Sequence, residues 1–168
     1  MSSDRPSTRR PTWPLLCLAL GLGCRSSVVY FSEDADITAV IKDEIGVASD
    51  TVDVAIYTFT SEPLRDALLD AASRGVKVRV LADPWAANDT ILGTLEDSKV
   101  EVKRKNGFAG GIMHHKFTVV DEASVLTGSF NWTYSADNEN DENLLVLSDK
   151  ALAAQYSDEF ARLWAAAE

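Results

Sequence analysis

Residues 51–82 read TVDVAIYTFTSEPLRDALLDAASRGVKVRVLA, and this stretch decides the fold class. Positions 51–59 are β-branched and aromatic, the composition of a strand. From 62 to 74 the apolar residues Leu64, Leu68, Ala71 and Ala72 recur on one helical face. Gly75 follows where a helix end favours a residue free to adopt positive φ. Positions 76–82 alternate apolar and polar side chains, as a strand does. Strands alternating with helices predict an α/β domain in which helices cover a sheet.

The same reading extends outward in both directions. Positions 27–32 form a short β-rich run. Positions 34–48 place Ile37, Val40, Ile41 and Ile45 at helical spacing, with Ser32 near the N-cap. A helix is expected over 86–97 and an alternating strand over 100–105. A glycine-rich loop, 106–111, leads into strands at 113–121 and 124–127, separated by a tight turn at Asp121-Glu122-Ala123. A long polar loop, 129–142, precedes a strand at 143–147 and a closing helix at 150–166. The hairpin-like pair around residue 122 predicts a mixed sheet, with helices on both faces.

The 168 residues suffice for one domain, and 46% apolar content suits an ordinary core. Residues 25–168 are read as that domain, and residues 1–24 as an export signal. Arg5, Arg9 and Arg10 precede an apolar run from Trp13 to Leu22 that ends at Gly23-Cys24. This end resembles a bacterial lipoprotein signal, in which Cys24 would be lipidated, although Gly21 departs from the usual pattern. Arg9-Arg10 also resembles a twin-arginine signal, against which Pro11 and Pro14 count. The expectation is an exported protein, periplasmic or anchored to a membrane. No stretch after residue 24 is long and apolar enough to span one.

Charge narrows the partners. Residues after Cys24 hold 13 basic and 25 acidic side chains, a net charge of −12. Nucleic-acid affinity rests largely on phosphate neutralisation, so such a domain needs a local basic concentration to bind nucleic acid. Lys99, Lys103, Arg104 and Lys105 are the candidate. Both cysteines lie within the signal, so the rest of the chain can form neither a disulfide nor a thiolate metal site. Residues 137–143 (DNENDEN) are acidic but lack the glycine and the terminal acid of an EF-hand loop.

The chemistry concentrates after residue 113. On a strand, His114, Lys116, Thr118 and Val120 share one face, while His115, Phe117 and Val119 share the other. A histidine and a lysine two apart form an anion site containing a titratable group. Gly128 permits close backbone approach, and Ser129 and Asn131 offer donors at alternate positions. Glu142, at the far end of the polar loop, could hold the second nitrogen of His114.

His114-x-Lys116-x4-Asp121-x6-Gly128-Ser129-x-Asn131 resembles the HKD signature of the phospholipase D superfamily. The text at 57–83 and GSFNWT at 128–133 are similar to its single-HKD branch, over roughly residues 28–164. That branch includes small bacterial endonucleases and mitochondrial-type phospholipase D proteins. The resemblance implies a phosphodiesterase with the phospholipase D fold. His114 would attack phosphorus to form a phosphohistidine. Lys116 and Asn131 would bind phosphate oxygens with help from Ser129. Glu142 would orient His114, and Asp121 would hold the strand–turn geometry near the site. Neither metal nor cofactor would be needed, because lysine and amide donors replace a cation in stabilising transition-state charge.

Two-step hydrolysis needs a nucleophile and a separate acid for the leaving group. The chain's two histidines are adjacent and therefore face opposite ways on a strand. A homodimer sharing one active site is expected. Three readings of function follow: a phospholipase D-type hydrolase of phospholipid, a metal-independent endonuclease acting on DNA or RNA, and an inactive phosphate-binding scaffold.

Overall fold

The computed structural model describes residues 26–168. The expected export signal, with Cys24, lies outside the described residues. Seven strands form one sheet: β1 (Ser26–Phe31), β2 (Thr51–Ile56), β3 (Lys77–Ala82), β4 (Glu101–Arg104), β5 (Lys116–Val120), β6 (Ser124–Gly128) and β7 (Asn143–Ser148). Their order is β1-β7-β6-β5-β2-β3-β4. The pairs β2–β3 and β3–β4 are parallel, whereas the pairs from β1 through β7, β6 and β5 to β2 are antiparallel. The sheet is therefore mixed, as expected from the hairpin around residue 122.

Five helices accompany it: α1 (Ile37–Gly46), α2 (Glu62–Ser73), α3 (Asp89–Glu96), α4 (Tyr134–Asn138) and α5 (Lys150–Ala165). Two apolar clusters form. One joins Ile37, Ile41, Ile45, Leu64, Leu68, Ile91 and Leu95 to Val52, Val54, Val78 and Val80. The other joins Ala153, Phe160 and Leu163 of α5 to Ala55, Leu81, Phe117, Val119 and Val125. The sheet is thus covered on both faces. Each fully buried Leu, Ile or Phe contributes roughly 1.5–3 kcal/mol relative to exposure. The second face also carries a buried ion pair. Arg79 donates to both carboxylate oxygens of Asp53 across the β2–β3 register, at 2.7 and 2.6 Å. Its guanidinium lies 5.0 Å from the ring centre of Phe160 and 5.6 Å from that of Trp164, so it also anchors α5.

Local differences from the sequence reading have identifiable causes. α1 begins at Ile37, because Asp36 rather than a residue near Ser32 caps it, accepting from the N–H of Ala39 at 2.8 Å. Ser32 instead clasps the polar loop: its hydroxyl donates to Asn140 O at 2.8 Å and accepts from the N–H of Glu142 at 2.9 Å. That loop contains α4, capped by Thr133. β5 begins at Lys116 rather than 113, because the N–H of Met113 turns to the buried carboxylate of Asp83 at 2.9 Å.

The strand directions define two ends of the sheet. Ile56 pairs with both Ala82 and Lys116, and Gly128 pairs with Leu144 beside Asn143. The last residues of β2, β3 and β6 and the first of β5 and β7 therefore gather at one end. The turn after β5 lies at the other, where Asp121 (φ 51°) and Glu122 (φ 50°) both adopt the left-handed region. Aspartate tolerates this conformation better than most residues.

Candidate active site

The chain approaches the first end of the sheet through residues 113–116. Asp83, fully buried at the end of β3, accepts from the N–H groups of Trp85 and Ala86 with one oxygen and from Met113 with the other. The next peptide is held by β2, since the N–H of Tyr57 donates to His115 O at 2.9 Å. His114 is thereby fixed between two anchored residues.

The alternation expected of this segment is observed. The Nζ of Lys116 lies 3.3 Å from Nε2 of His114 and donates to His114 O at 3.1 Å. Tyr57 supports both: its ring meets the imidazole edge-on at 4.6 Å, and Lys116 Nζ lies 5.3 Å from its centre. His115 takes the opposite side, with Nε2 3.8 Å from Glu159 of α5 and its ring 5.4 Å from that of Phe117. An ammonium can only donate. The 3.3 Å contact is therefore a hydrogen bond only when Nε2 of His114 carries its lone pair, which places the ring proton on Nδ1. Burial pushes the Lys116 ammonium below the usual lysine range, and the nearby charge of Glu142 partly opposes this. Burial likewise lowers His115, against the pull of Glu159.

The strand-end loop after β6 supplies polar groups at alternate positions. Phe130 and Trp132 are buried, and the Trp132 ring packs edge-on against Phe59 at 4.8 Å. Trp132 is also stitched to residues 58–61 by backbone hydrogen bonds with Thr58, Thr60 and Ser61. Ser129, just before them, is exposed. Asn131 holds a buried Oδ1 without a hydrogen-bond partner among the described residues. Buried polar atoms are normally paired, so this amide retains unused bonding capacity.

Three expected roles change. The carboxylate of Glu142 does not hold the imidazole of its own chain. Oε2 accepts from the Ser129 hydroxyl, and Oε1 accepts from the Asn140 amide at 3.1 Å. The reason is the β6–β7 register, which sets Ser129 beside Asn143. The N–H of Ser129 donates to Asn143 O at 3.2 Å, and the Ser129 hydroxyl accepts from the N–H of Asn143 at 3.1 Å. That register also explains Gly128. A Cβ there would sit 2.2 Å from Asn143 O, so the close approach is to β7 rather than to a ligand.

Asp121 is structural, but it lies far from the site. Five residue steps of extended chain lead to it from Lys116, roughly 17 Å. Its carboxylate accepts from the N–H groups of Ser49, Asp50 and Thr51 and from the Ser49 hydroxyl, tying the hairpin turn to the start of β2. Burial would raise its pKa, but these hydrogen bonds outweigh that and hold it below the usual range.

Two of the four residues of the basic cluster are committed elsewhere. Lys103 Nζ donates to the carbonyls of Trp164 and Ala167 at the end of α5, and Arg104 pairs with Glu96 and lies 3.9 Å from Asp89. Trp132 is core, while Trp85 is exposed. Tyr57 and Asp83 were missed as site residues. Their signal was position alone: each ends or follows a strand whose neighbours reach the site.

Residues 41–164 match the family model described as cardiolipin synthase, PLD-like domain. The mitochondrial cardiolipin hydrolase of Chlamydomonas reinhardtii is 32% identical over 148 residues, 84% of this chain and 64% of the relative. That of Xenopus tropicalis is 41% identical over 119 residues, 70% of this chain and 56% of the relative. The chain thus spans less than two thirds of the length of these curated relatives. The crystal structure of a phospholipase D family member, Nuc from Salmonella typhimurium, superposes with a TM-score of 0.78 at 26% identity, covering 86% of this chain and 97% of Nuc. With the HKD residues placed as described and the family model matching most of its length, the chain belongs to the single-HKD branch of the phospholipase D superfamily.

Proposed function

We propose that this protein is a phosphodiesterase that hydrolyses phospholipid through a covalent phosphohistidine at His114. The observation that carries the reading is the pairing of His114 Nε2 with Lys116 Nζ at 3.3 Å on an exposed strand end. The Nε2 lone pair that faces Lys116 is the one that attacks phosphorus, once the ammonium turns from it to a phosphate oxygen. As the N–P bond forms, the P–O bond to the leaving group breaks. The departing oxygen takes a proton from a second imidazole; water then attacks phosphorus, gives a proton back to that imidazole, and the N–P bond breaks to free His114. Lys116 has further N–H donors for a phosphate oxygen, and Asn131 and Ser129 add polar contacts. Glu142 acts by holding Ser129 and by sustaining the charge of Lys116, not by gripping its own chain's imidazole.

The second imidazole is best supplied by another copy. His115 is turned toward Glu159 and Phe117, so a homodimer sharing one site fits this chemistry. Phospholipid is favoured as substrate because the chain is acidic overall and Lys103 and Arg104 of its basic cluster are committed to structural contacts. The near-complete superposition with Nuc keeps an endonuclease activity as the second reading. Export, with lipidation at Cys24, would place the enzyme beside its substrate.

The test is head-group release from phospholipid vesicles in EDTA, run beside cleavage of single-stranded and plasmid DNA and of RNA. Wild type should release head groups and His114→Ala should not. Cleavage of nucleic acid alone would move the assignment to the second reading. Failure of 32P to remain on His114 after an alkaline denaturing quench, which preserves an N–P bond, would remove the covalent mechanism.

A further inference from the structure

The loop between β4 and β5 is exposed, yet carries no polar side chain from Gly107 to Met113. Phe108 at its tip is 91% exposed, and Ile112 is 52% exposed. The tip is one 3-10 turn, Phe108–Gly110, closed by a hydrogen bond from the N–H of Gly107 to Gly111 O at 2.6 Å. A Cβ on Gly107 would lie 2.3 Å from Ile112 O, so the two limbs of the loop are pressed together and the apolar tip projects. Trp85, 84% exposed, is tied to the base of this loop by its indole N–H, which donates to Asn106 at 3.2 Å. Phe108 and Ile112 thus stand in water beside His114, and Trp85 stands in water at the base of the loop. Phe108, Ile112, His114 and His115 line one cavity of about 170 Å³.

Scattered surface apolar residues need no explanation, whereas a contiguous group at a site does. Charge decides what this group meets. No acidic residue occurs between Glu101 and Asp121 in a chain of net charge −10. Lys105 flanks the loop on one side and Lys116 on the other. We infer that residues 107–112, with Trp85, form a wedge that enters the interfacial layer of a phospholipid bilayer containing anionic lipid. Trp85 presents an amphipathic ring suited to head-group depth, Phe108 and Ile112 reach the acyl boundary, and Lys105, whose Nζ donates to Asn106 O at 2.7 Å, keeps further N–H donors for a head-group phosphate. A nucleic-acid platform would instead need a cationic groove beneath its aromatic residues. Here Arg104 and Arg162 are paired with Glu96 and Glu159, and Lys103 with the carbonyls at the end of α5.

This inference rests on the proposed phosphodiesterase activity only for its biological sense, and its test is separable. Hydrogen–deuterium exchange of peptides covering 105–113 is measured in the full chain, alone and with vesicles of phosphatidylcholine mixed with phosphatidylglycerol. Exchange in this segment should slow with the mixed vesicles. Unchanged exchange overturns the wedge. So does protection by single-stranded DNA in place of vesicles, or protection that grows with protein concentration in their absence, which would mark a contact between copies. The Phe108→Ser/Ile112→Ser variant should hydrolyse vesicle phospholipid about tenfold or more slowly, while its rate on the soluble diester bis(p-nitrophenyl) phosphate stays unchanged. An equal loss on both substrates also overturns the wedge. If wild type cleaves neither substrate, the proposed activity fails, and the exchange measurement still decides the wedge.

Discussion

The ammonium of Lys116 sits 3.3 Å from Nε2 of His114 and also donates to the carbonyl of the same histidine. One side chain therefore steadies both the imidazole and the backbone that carries it. Lys116→Met should lower kcat on a phosphodiester by roughly 10²–10³-fold, the cost of losing one preorganised charge-stabilising donor. Its melting temperature should stay near that of wild type, because Lys116 is partly exposed and makes no buried ion pair. Steady-state kinetics with thermal melting checks this, and an unchanged kcat would remove Lys116 from the chemistry.

Asp83 should behave as a positioning residue. Asp83→Asn keeps the shape but replaces one acceptor oxygen by a donor, leaving either Met113 or the Trp85–Ala86 turn unpaired. Stability should fall by about 1–3 kcal/mol. The rate should fall roughly tenfold through misplacement of His114, with the larger change in kcat rather than KM. Chemical denaturation and kinetics on the same preparation separate the two effects.

At the far end of β5, Asp121→Asn tests the hairpin anchor without disturbing a left-handed backbone position. The carboxyl is held below its ordinary range in the folded protein. Its contribution is complete above the unfolded-state value near 3.9 and fades as pH falls through the lower folded value. Wild type should exceed the variant in stability by about 1–2 kcal/mol at neutral pH. The gap should close as pH falls below about 4. A gap that stays constant down to acid denaturation would mean that charge is not what Asp121 contributes.

Gly128→Ala places a methyl group against the carbonyl of Asn143. The β6–β7 register must give way, at about 1–3 kcal/mol. That is a fall of several degrees in melting temperature for a domain of this size. Activity should fall with it, because Ser129 and Glu142 are held by the same register. Full retention of stability would show that the strands can part without cost.

Much of this molecule was legible in its sequence. Helical spacing marked α1 and α2, and two-residue alternation marked β3 and β4, because both patterns are local consequences of chain geometry. The same alternation placed His114 with Lys116 and set His115 on the other face. The identity of the family followed from residue types at fixed spacing between His114 and Asn131. What the sequence could not carry were partners distant along the chain. That Asp121 serves Ser49–Thr51, that Asp83 holds Met113, and that Glu142 meets Ser129 before any imidazole are decided by sheet order and strand register. Lys103 and Arg104 read as a free basic cluster until α3 and α5 brought their partners. The chemistry was local and so could be read from the chain. The supports that aim it are long-range, and only the closed sheet determines them.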